Sequence, residues 1–151
     1  MPDAKRNKVF ISYSHNDKRW LTEVQKMLKP EVRNKTIDLW DDTKIKPGSN
    51  WKAEIKQALA EAKVAVLLVS PDFLASDFIA KNELPPLLKA AKRNGLLIHW
   101  IYISSCLYEN TAISKYQAAH DIARPLDRMT RPNRQAVLSA VCAGIGRAVD
   151  S

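Results

Sequence analysis

A run of six consecutive apolar residues, Val64–Val69, constrains the fold of this chain most strongly. A strand with one face in water would alternate apolar and polar side chains, and this run does not alternate. It is typical of a strand buried on both faces, as in a parallel sheet covered by helices. A second, largely apolar run over residues 96–103 predicts another such strand. Because neighbouring parallel strands need long crossover connections, the two runs predict an α/β fold.

Helical and extended patterns alternate along the rest of the chain. Residues 9–13 and 37–40 are rich in the β-branched and aromatic residues of strands, and a short edge strand is expected near Arg124–Leu126. Amphipathic patterns and capping residues predict four helices, over about residues 17–29, 51–62, 76–94 and 131–149. This order predicts a doubly wound α/β domain with helices on both faces of the sheet.

Three prolines are expected to interrupt helices. Pro30 is expected to end the first helix, because proline lacks the backbone N–H that a helix interior needs. Pro85 and Pro86 fall inside the third predicted helix, and each interior proline costs about 3 kcal/mol. That helix should therefore kink or break just after Glu83.

The length of 151 residues suits one domain, expected over residues 8–150 behind an N-terminal tail at 1–7. The chain is either a complete small domain or part of a longer protein. It has neither an apolar stretch of roughly 20 residues nor a secretory signal, so we expect a cytoplasmic location and no membrane partner. Two cysteines and three scattered histidines do not form a metal-binding pattern, and no metal is expected.

The net charge of +8 would attract nucleic acid or a phosphorylated ligand. Most of the basic residues alternate with acidic ones, as they do over residues 52–63, and we interpret these as solvated faces. One basic tract is clustered, namely Arg124, Arg128, Arg131 and Arg134. It lacks the interleaved aromatic residues of a single-strand binder. We therefore expect no nucleic-acid partner.

Glu83 is the leading candidate for a functional residue. It lies shortly past the carboxyl end of the predicted strand Val64–Val69, where open α/β sheets place their ligands. Two other segments are expected at the same edge, the polar residues 12–15 and the loop 41–51 with its cations and Trp51. One acid between such loops suggests a site for a charged, ring-bearing small molecule.

The chain resembles the TIR (Toll/interleukin-1 receptor) domain family, and bacterial members more than animal adaptors. The resemblance extends from about residue 8 to the last helix, and its motifs follow one another in the family's order. They are VFISYS at 9–14, WDD at 40–42, IKPG at 45–48 with Trp51, VLLVSP at 66–71, and the stretch from Ser76 to Leu84. It implies a flavodoxin-like domain with a five-stranded parallel sheet. It also implies, for enzymatic members, cleavage of the bond between nicotinamide and ribose in NAD.

The resemblance assigns the catalytic role to Glu83, preceded by a serine and an aromatic residue that match Ser76 and Phe78. In plant-like members the aromatic residue is tryptophan, and it lies one residue nearer to the glutamate. Enzymatic members often carry an arginine in the first loop, where this chain has His15. NAD would be a consumed substrate and not a cofactor. The four glycines form no G-x-G-x-x-G motif, which argues against a redox dehydrogenase.

The remaining candidates surround the expected position of the substrate. The first strand ends at Ser12, Tyr13 and Ser14, which could contact nicotinamide or ribose. Because side chains alternate between the two faces of a strand, Ser12 and Ser14 are expected on the same face, and one of them could serve only in packing. Asp41 either binds a ribose or fixes its loop.

Two candidates belong to the loop 41–51. Lys44, with Lys46, could neutralise the pyrophosphate of NAD. Trp51 either stacks on a ring of the substrate or, because it begins an apolar helix stripe, packs in the core.

Two functional hypotheses remain open. The first is an NAD glycohydrolase or cyclase of prokaryotic antiviral defence, which makes nicotinamide and either ADP-ribose or a cyclic isomer. This enzyme would be activated by self-association and would have a fused sensor domain as a further partner. The second is a non-enzymatic module that works by TIR–TIR contacts through the loop 41–51. An acid at position 83 favours the enzyme. A phosphoacceptor receiver domain would need an acidic cluster at the end of the first strand, where Ser12–Ser14 stand instead.

Overall fold

The computed structural model describes residues 6–151, so most of the expected tail at 1–7 lies outside the described residues. Its four strands are β1 (Lys8–Ser12), β2 (Asp38–Trp40), β3 (Ala62–Val69) and β4 (Leu97–Tyr102). They form one parallel sheet in the order β2-β1-β3-β4. The chain thus runs outward from β1 to β2 and then crosses back to β3. This reversal opens a crevice at the carboxyl ends of β1 and β3.

The helices are α1 (Lys18–Arg33), α2 (Trp51–Glu61), α3 (Pro71–Ala75), α4 (Leu84–Arg93) and α5 (Arg131–Asp150). One core packs under α1 and α5, and the other under α2, α3 and α4. Alternate side chains of β3 enter the two cores, and the run Val64–Val69 is buried throughout. The prediction of a doubly wound α/β domain with helices on both faces is therefore confirmed. Among residues 6–151, none of the helices combines the length and hydrophobicity needed to span a bilayer.

The prediction that Pro30 ends α1 was wrong. The helix continues to Arg33, and the Asn34 N–H still bonds the Pro30 carbonyl at 3.0 Å. Pro30 removes one backbone hydrogen bond from the last turn. The buried side chains of α1, which include Trp20 and Leu28, pack in the core and keep the chain helical despite the missing hydrogen bond.

The expected fifth strand near Arg124–Leu126 is absent from the residues that the structure describes. This segment is a bend that leads into a single 3-10 turn at Leu126–Arg128. Pro125 cannot donate a ladder hydrogen bond, which disfavours a strand at this place. Beside β4 the sheet instead ends in an isolated parallel bridge between Trp100 and Ala118.

The helix around Pro85 and Pro86 is irregular up to Glu83 and not, as the prolines predicted, just after it, and it is not broken. Residues Ile79–Glu83 form a π-helical turn, and the Leu84 N–H bonds the Ile79 carbonyl. Both prolines then fall in the first turn of α4, where a missing N–H is tolerated best. Single π turns of this kind are frequent at functional sites.

Candidate active site

A cleft of about 350 Å³ opens at the carboxyl ends of β1 and β3. Its lining comes from residues 13–16 after β1, from Asp42 after β2, and from the stretch after β3, namely Asp72, Ala75, Ser76, Phe78, Ile79 and Glu83. The cleft therefore occupies the switch point of the sheet, the usual place for a ligand in this architecture.

Glu83 lies at the buried side of this cleft, with only 4% of its surface exposed. The Ser12 hydroxyl, at the end of β1, donates a hydrogen bond of 2.6 Å to Glu83 Oε1. Burial raises the pKa of Glu83 from an ordinary 4.5 to about 7; the charge of Asp42 adds to this rise, and the Ser12 hydrogen bond opposes it. Near neutral pH the side chain is thus poised between acid and carboxylate.

Asp42 is held by two side chains of the first loop. It accepts a hydrogen bond from the Tyr13 hydroxyl at 3.0 Å on Oδ1, and its Oδ2 lies 2.5 Å from His15 Nε2. Burial and the neighbouring Asp42 raise the pKa of Tyr13, so this phenol remains a hydrogen-bond donor. The loops after β1 and β2 are thereby joined across one side of the cleft.

The cleft is acidic although the chain as a whole is basic. Asp42, Asp72 and Glu83 face it together with His15, while the chain carries a net charge of +8. Among residues 6–151 no group of three carboxylate, histidine or cysteine side chains could hold a metal ion. The arrangement suits an organic cation or a group that gains positive charge during a reaction.

An aromatic pair stands at the mouth of the cleft. The ring of Phe78, which lines the cleft, lies 5.2 Å from the ring of Trp51 at the start of α2. Phe78 is 41% exposed and Trp51 is 40% exposed, so neither ring belongs to the core. Exposed paired rings of this kind offer a surface on which a flat ligand can stack.

A family model described as a TIR domain matches residues 9–124 of the chain. The chain belongs to the TIR domain family. One similar protein is y4lF, an uncharacterized protein of Sinorhizobium fredii strain NBRC 101917 / NGR234 that is 26% identical over 118 residues. The match covers 78% of this chain but 36% of y4lF, so the chain spans about a third of that bacterial relative.

The TIR fold is also found in solved structures. The TIR domains in the structure of the activated Roq1 resistosome, which directly recognizes the pathogen effector XopQ, superpose with a TM-score of 0.54. The superposition covers 91% of this chain and 84% of the other at 18% identity. This likeness shows the fold, in agreement with the four parallel strands and the helices on both faces of the sheet.

The TIR fold brings several predicted site residues into the cleft. Tyr13, Ser14, Ser76 and Phe78 line it beside Glu83. The Ser14 hydroxyl accepts a hydrogen bond of 3.3 Å from the Asn16 N–H, and the Ser76 hydroxyl accepts one of 3.2 Å from the Ile79 N–H. Both serines thus hold backbone turns at the rim.

Ser12 is linked to the cleft through its bond to Glu83 and does not line it.

Asp41 and Lys44 lie outside the lining of the cleft. Asp41 is 2% exposed, and its carboxylate accepts hydrogen bonds from Thr43 and from Gln25 Nε2. Of the two roles considered for Asp41, these contacts fit that of fixing the loop. Lys44 is exposed at the end of the 3-10 turn Asp42–Lys44.

The sequence placed the segments of His15 and Asp42 at this edge of the sheet, but neither residue was singled out for the site, and Asp72 was missed. The role of Asp42 could have been predicted, because Asp41 can cap the turn that follows it with its own side chain. The carboxylate of the next residue, Asp42, is then left free to face the cleft. Asp72 follows a capping Ser70 and Pro71 in the first turn of α3, also at the carboxyl edge of the sheet. Whether Asp72 lines the same cleft as Glu83 depends on how α3 packs beside the π turn, which no local pattern encodes.

Proposed function

We propose that this TIR domain is an NAD-consuming enzyme that cleaves the bond between nicotinamide and ribose. The observation that carries the proposal is the buried Glu83 carboxyl, hydrogen-bonded to Ser12 beside an acid-lined cleft with an aromatic mouth. The products would be nicotinamide and either ADP-ribose or a cyclic isomer of it.

A single carboxylate suffices for this chemistry. Nicotinamide is cationic in NAD and leaves as a neutral ring, so the departing group needs no proton and the acid of ordinary glycoside hydrolysis is dispensable. Positive charge develops on the ribose in the transition state, and an ionised Glu83 would stabilise it inside a cleft of low dielectric. With a pKa near 7, a large fraction of Glu83 is ionised at neutral pH.

The neighbouring residues would orient the substrate. Ser14 and Ser76 place hydroxyl oxygens at the rim, within the lining that a ribose would contact. Phe78, supported by Trp51, would stack on a ring of the dinucleotide. Asp42 and Asp72 would favour the nicotinamide cation and disfavour the pyrophosphate, which would lie toward the solvent.

The pyrophosphate then needs cations that the cleft itself does not supply. We propose that the TIR domain self-associates and that Lys44, exposed on the loop 41–51, reaches the substrate held by a neighbouring copy. The solved relative with this fold is described as an activated resistosome. The bacterial relative y4lF is longer than this chain, which leaves room for a fused sensor domain in a cytoplasmic antiviral system.

The test is incubation of concentrated protein with NAD, with nicotinamide and its co-products resolved by chromatography. We expect nicotinamide release that falls by at least about a hundredfold in Glu83→Ala and Glu83→Gln variants that remain folded. The co-product separates hydrolysis from cyclisation. No release from artificially clustered protein would contradict the enzyme and favour a non-enzymatic TIR–TIR interaction module.

A further inference from the structure

A second cavity, which shares no lining residue with the acidic cleft, lies between α1 and the start of α5. It has a volume of about 220 Å³ and is lined by Arg19, Trp20, Arg131 and Arg134 among others. Arg131 and Arg134 belong to the one basic tract that the sequence singles out, and the fold adds Arg19 from α1. Three arginines therefore converge on one small cavity.

Two of these guanidinium groups are held over a single indole. The Cζ atoms of Arg19 and Arg134 lie 4.9 Å and 5.4 Å from the ring centroid of Trp20, which is only 5% exposed. A stacked guanidinium keeps its N–H edge available, and it loses less side-chain freedom when it binds an oxyanion. The cavity is thus pre-organised to donate hydrogen bonds.

Arginines outnumber the acids around this cavity, although Asp17 lies near enough to Arg19 for their charges to interact. Within residues 6–151 none of the three arginines forms an ion pair with a carboxylate. Glu23 also lines the cavity, but its carboxylate pairs with Lys26 at 3.8 Å. Arg131 and Arg134 stand in the first turn of α5, where the helix dipole adds to the positive potential.

We propose that this cavity binds the phosphoryl group of a small phosphorylated molecule. The planar fork of arginine matches phosphate oxygens in a bidentate manner. The volume lies below the roughly 300–1,000 Å³ of pockets that enclose drug-sized ligands, so it suits one or two phosphate groups with the rest of the molecule in solvent. Neither Glu83 nor the proposed NAD cleavage is needed for this binding.

The test is calorimetric titration of the whole chain with inorganic pyrophosphate and with ADP. The exposed Arg131 does not stack on Trp20, so Arg131→Gln should leave the melting temperature of the free protein unchanged. We expect this variant to bind pyrophosphate about tenfold more weakly. Arg93→Gln, a matched exposed control on α4, and Glu83→Gln should bind like the wild type.

ADP that binds as tightly as pyrophosphate would show that phosphate alone is recognised, and tighter binding would add a nucleoside contact. An equal loss of affinity in the Arg93 control would reduce the effect to general attraction by net charge and overturn the proposal. The proposal would also be overturned by the absence of binding at millimolar pyrophosphate and ADP. Unchanged binding in both Arg131→Gln and Arg134→Lys would overturn it as well. Binding of a poly-aspartate peptide without pyrophosphate binding would replace the proposal with an acidic protein partner.

Discussion

At the scale of single residues, Glu83 places an ionisable group where water is largely excluded. Burial disfavours its charged form, and the Ser12 hydroxyl offsets only part of that effect. A folded-state pKa of about 7 against an ordinary 4.5 means that the native state binds this proton more tightly than the unfolded chain does. The stabilisation by the bound proton is fully present below pH 4.5 and is lost as the pH rises through 7.

The Glu83→Gln variant isolates this effect, because glutamine mimics the protonated acid at every pH. We expect the variant and the wild type to have similar free energies of unfolding near pH 5. By pH 9 the variant should be more stable by roughly 3 kcal/mol, since the wild type then buries a charge. Urea unfolding over this pH range measures the difference.

The exposed Glu109 provides the matched control, because it lies outside the cleft. A Glu109→Gln variant should not show the gain of roughly 3 kcal/mol between pH 5 and pH 9, because Glu109 is not buried. If the difference in free energy of unfolding between Glu83→Gln and the wild type also did not change with pH, the pKa of Glu83 would not be raised. Glu83 would then not titrate near neutral pH.

At the scale of elements, the π-helical turn Ile79–Glu83 determines where the Glu83 carboxyl points. The turn connects α3 to α4, and Pro85 and Pro86 cannot donate the backbone bonds that would continue a regular helix through it. The two prolines therefore help to keep Glu83 in the register that faces Ser12.

A double Pro85→Ala, Pro86→Ala variant tests this role. It restores two N–H donors, so the stretch can relax to a regular α-helix, which would rotate Glu83 away from Ser12. We expect unchanged or higher thermal stability but at least about tenfold lower NAD turnover. Pro132→Ala, in the first turn of α5, is the control and should retain activity. Full turnover in the double variant would show that the prolines do not position Glu83.

Sequence reasoning was sound where one local rule decides an element. The run Val64–Val69 predicts a doubly covered strand, because all its side chains are apolar, and β3 is that strand. It was wrong where tertiary packing decides. At Arg124–Leu126 a bend and the start of a 3-10 turn replace the expected strand, and at Pro30 the buried stripe of α1 overrides the proline. For Trp51 the pattern left open whether the ring stacks on a substrate or packs in the core, and its exposed fraction of 40% excludes the core.

At the scale of the whole molecule, we propose that the reaction depends on association. The cleft supplies acids and aromatic rings but lacks lysine or arginine side chains among the described residues, and Lys44 lies on an exposed turn. A neighbouring copy would therefore complete the site. We expect NAD turnover per subunit to rise as the protein concentration increases from nanomolar to micromolar, by mass action.

Lys44→Gln should reduce turnover in the concentrated protein, because the substrate's pyrophosphate would lose its countercharge. The exposed Lys35→Gln variant, outside the loop, is the control. Turnover per subunit that stays constant over the whole range of concentration would contradict the assembly requirement, and a single chain would then contain the entire site.

The role of Glu83 is tested most directly by nicotinamide release from NAD by concentrated wild-type protein compared with Glu83→Gln and Glu109→Gln. We expect release by the wild type and the Glu109 variant, and a loss of at least about a hundredfold in folded Glu83→Gln. Equal release from all three proteins would show that Glu83 is not the catalytic group. No release from any of them, even when they are artificially clustered, would show that this TIR domain does not cleave NAD.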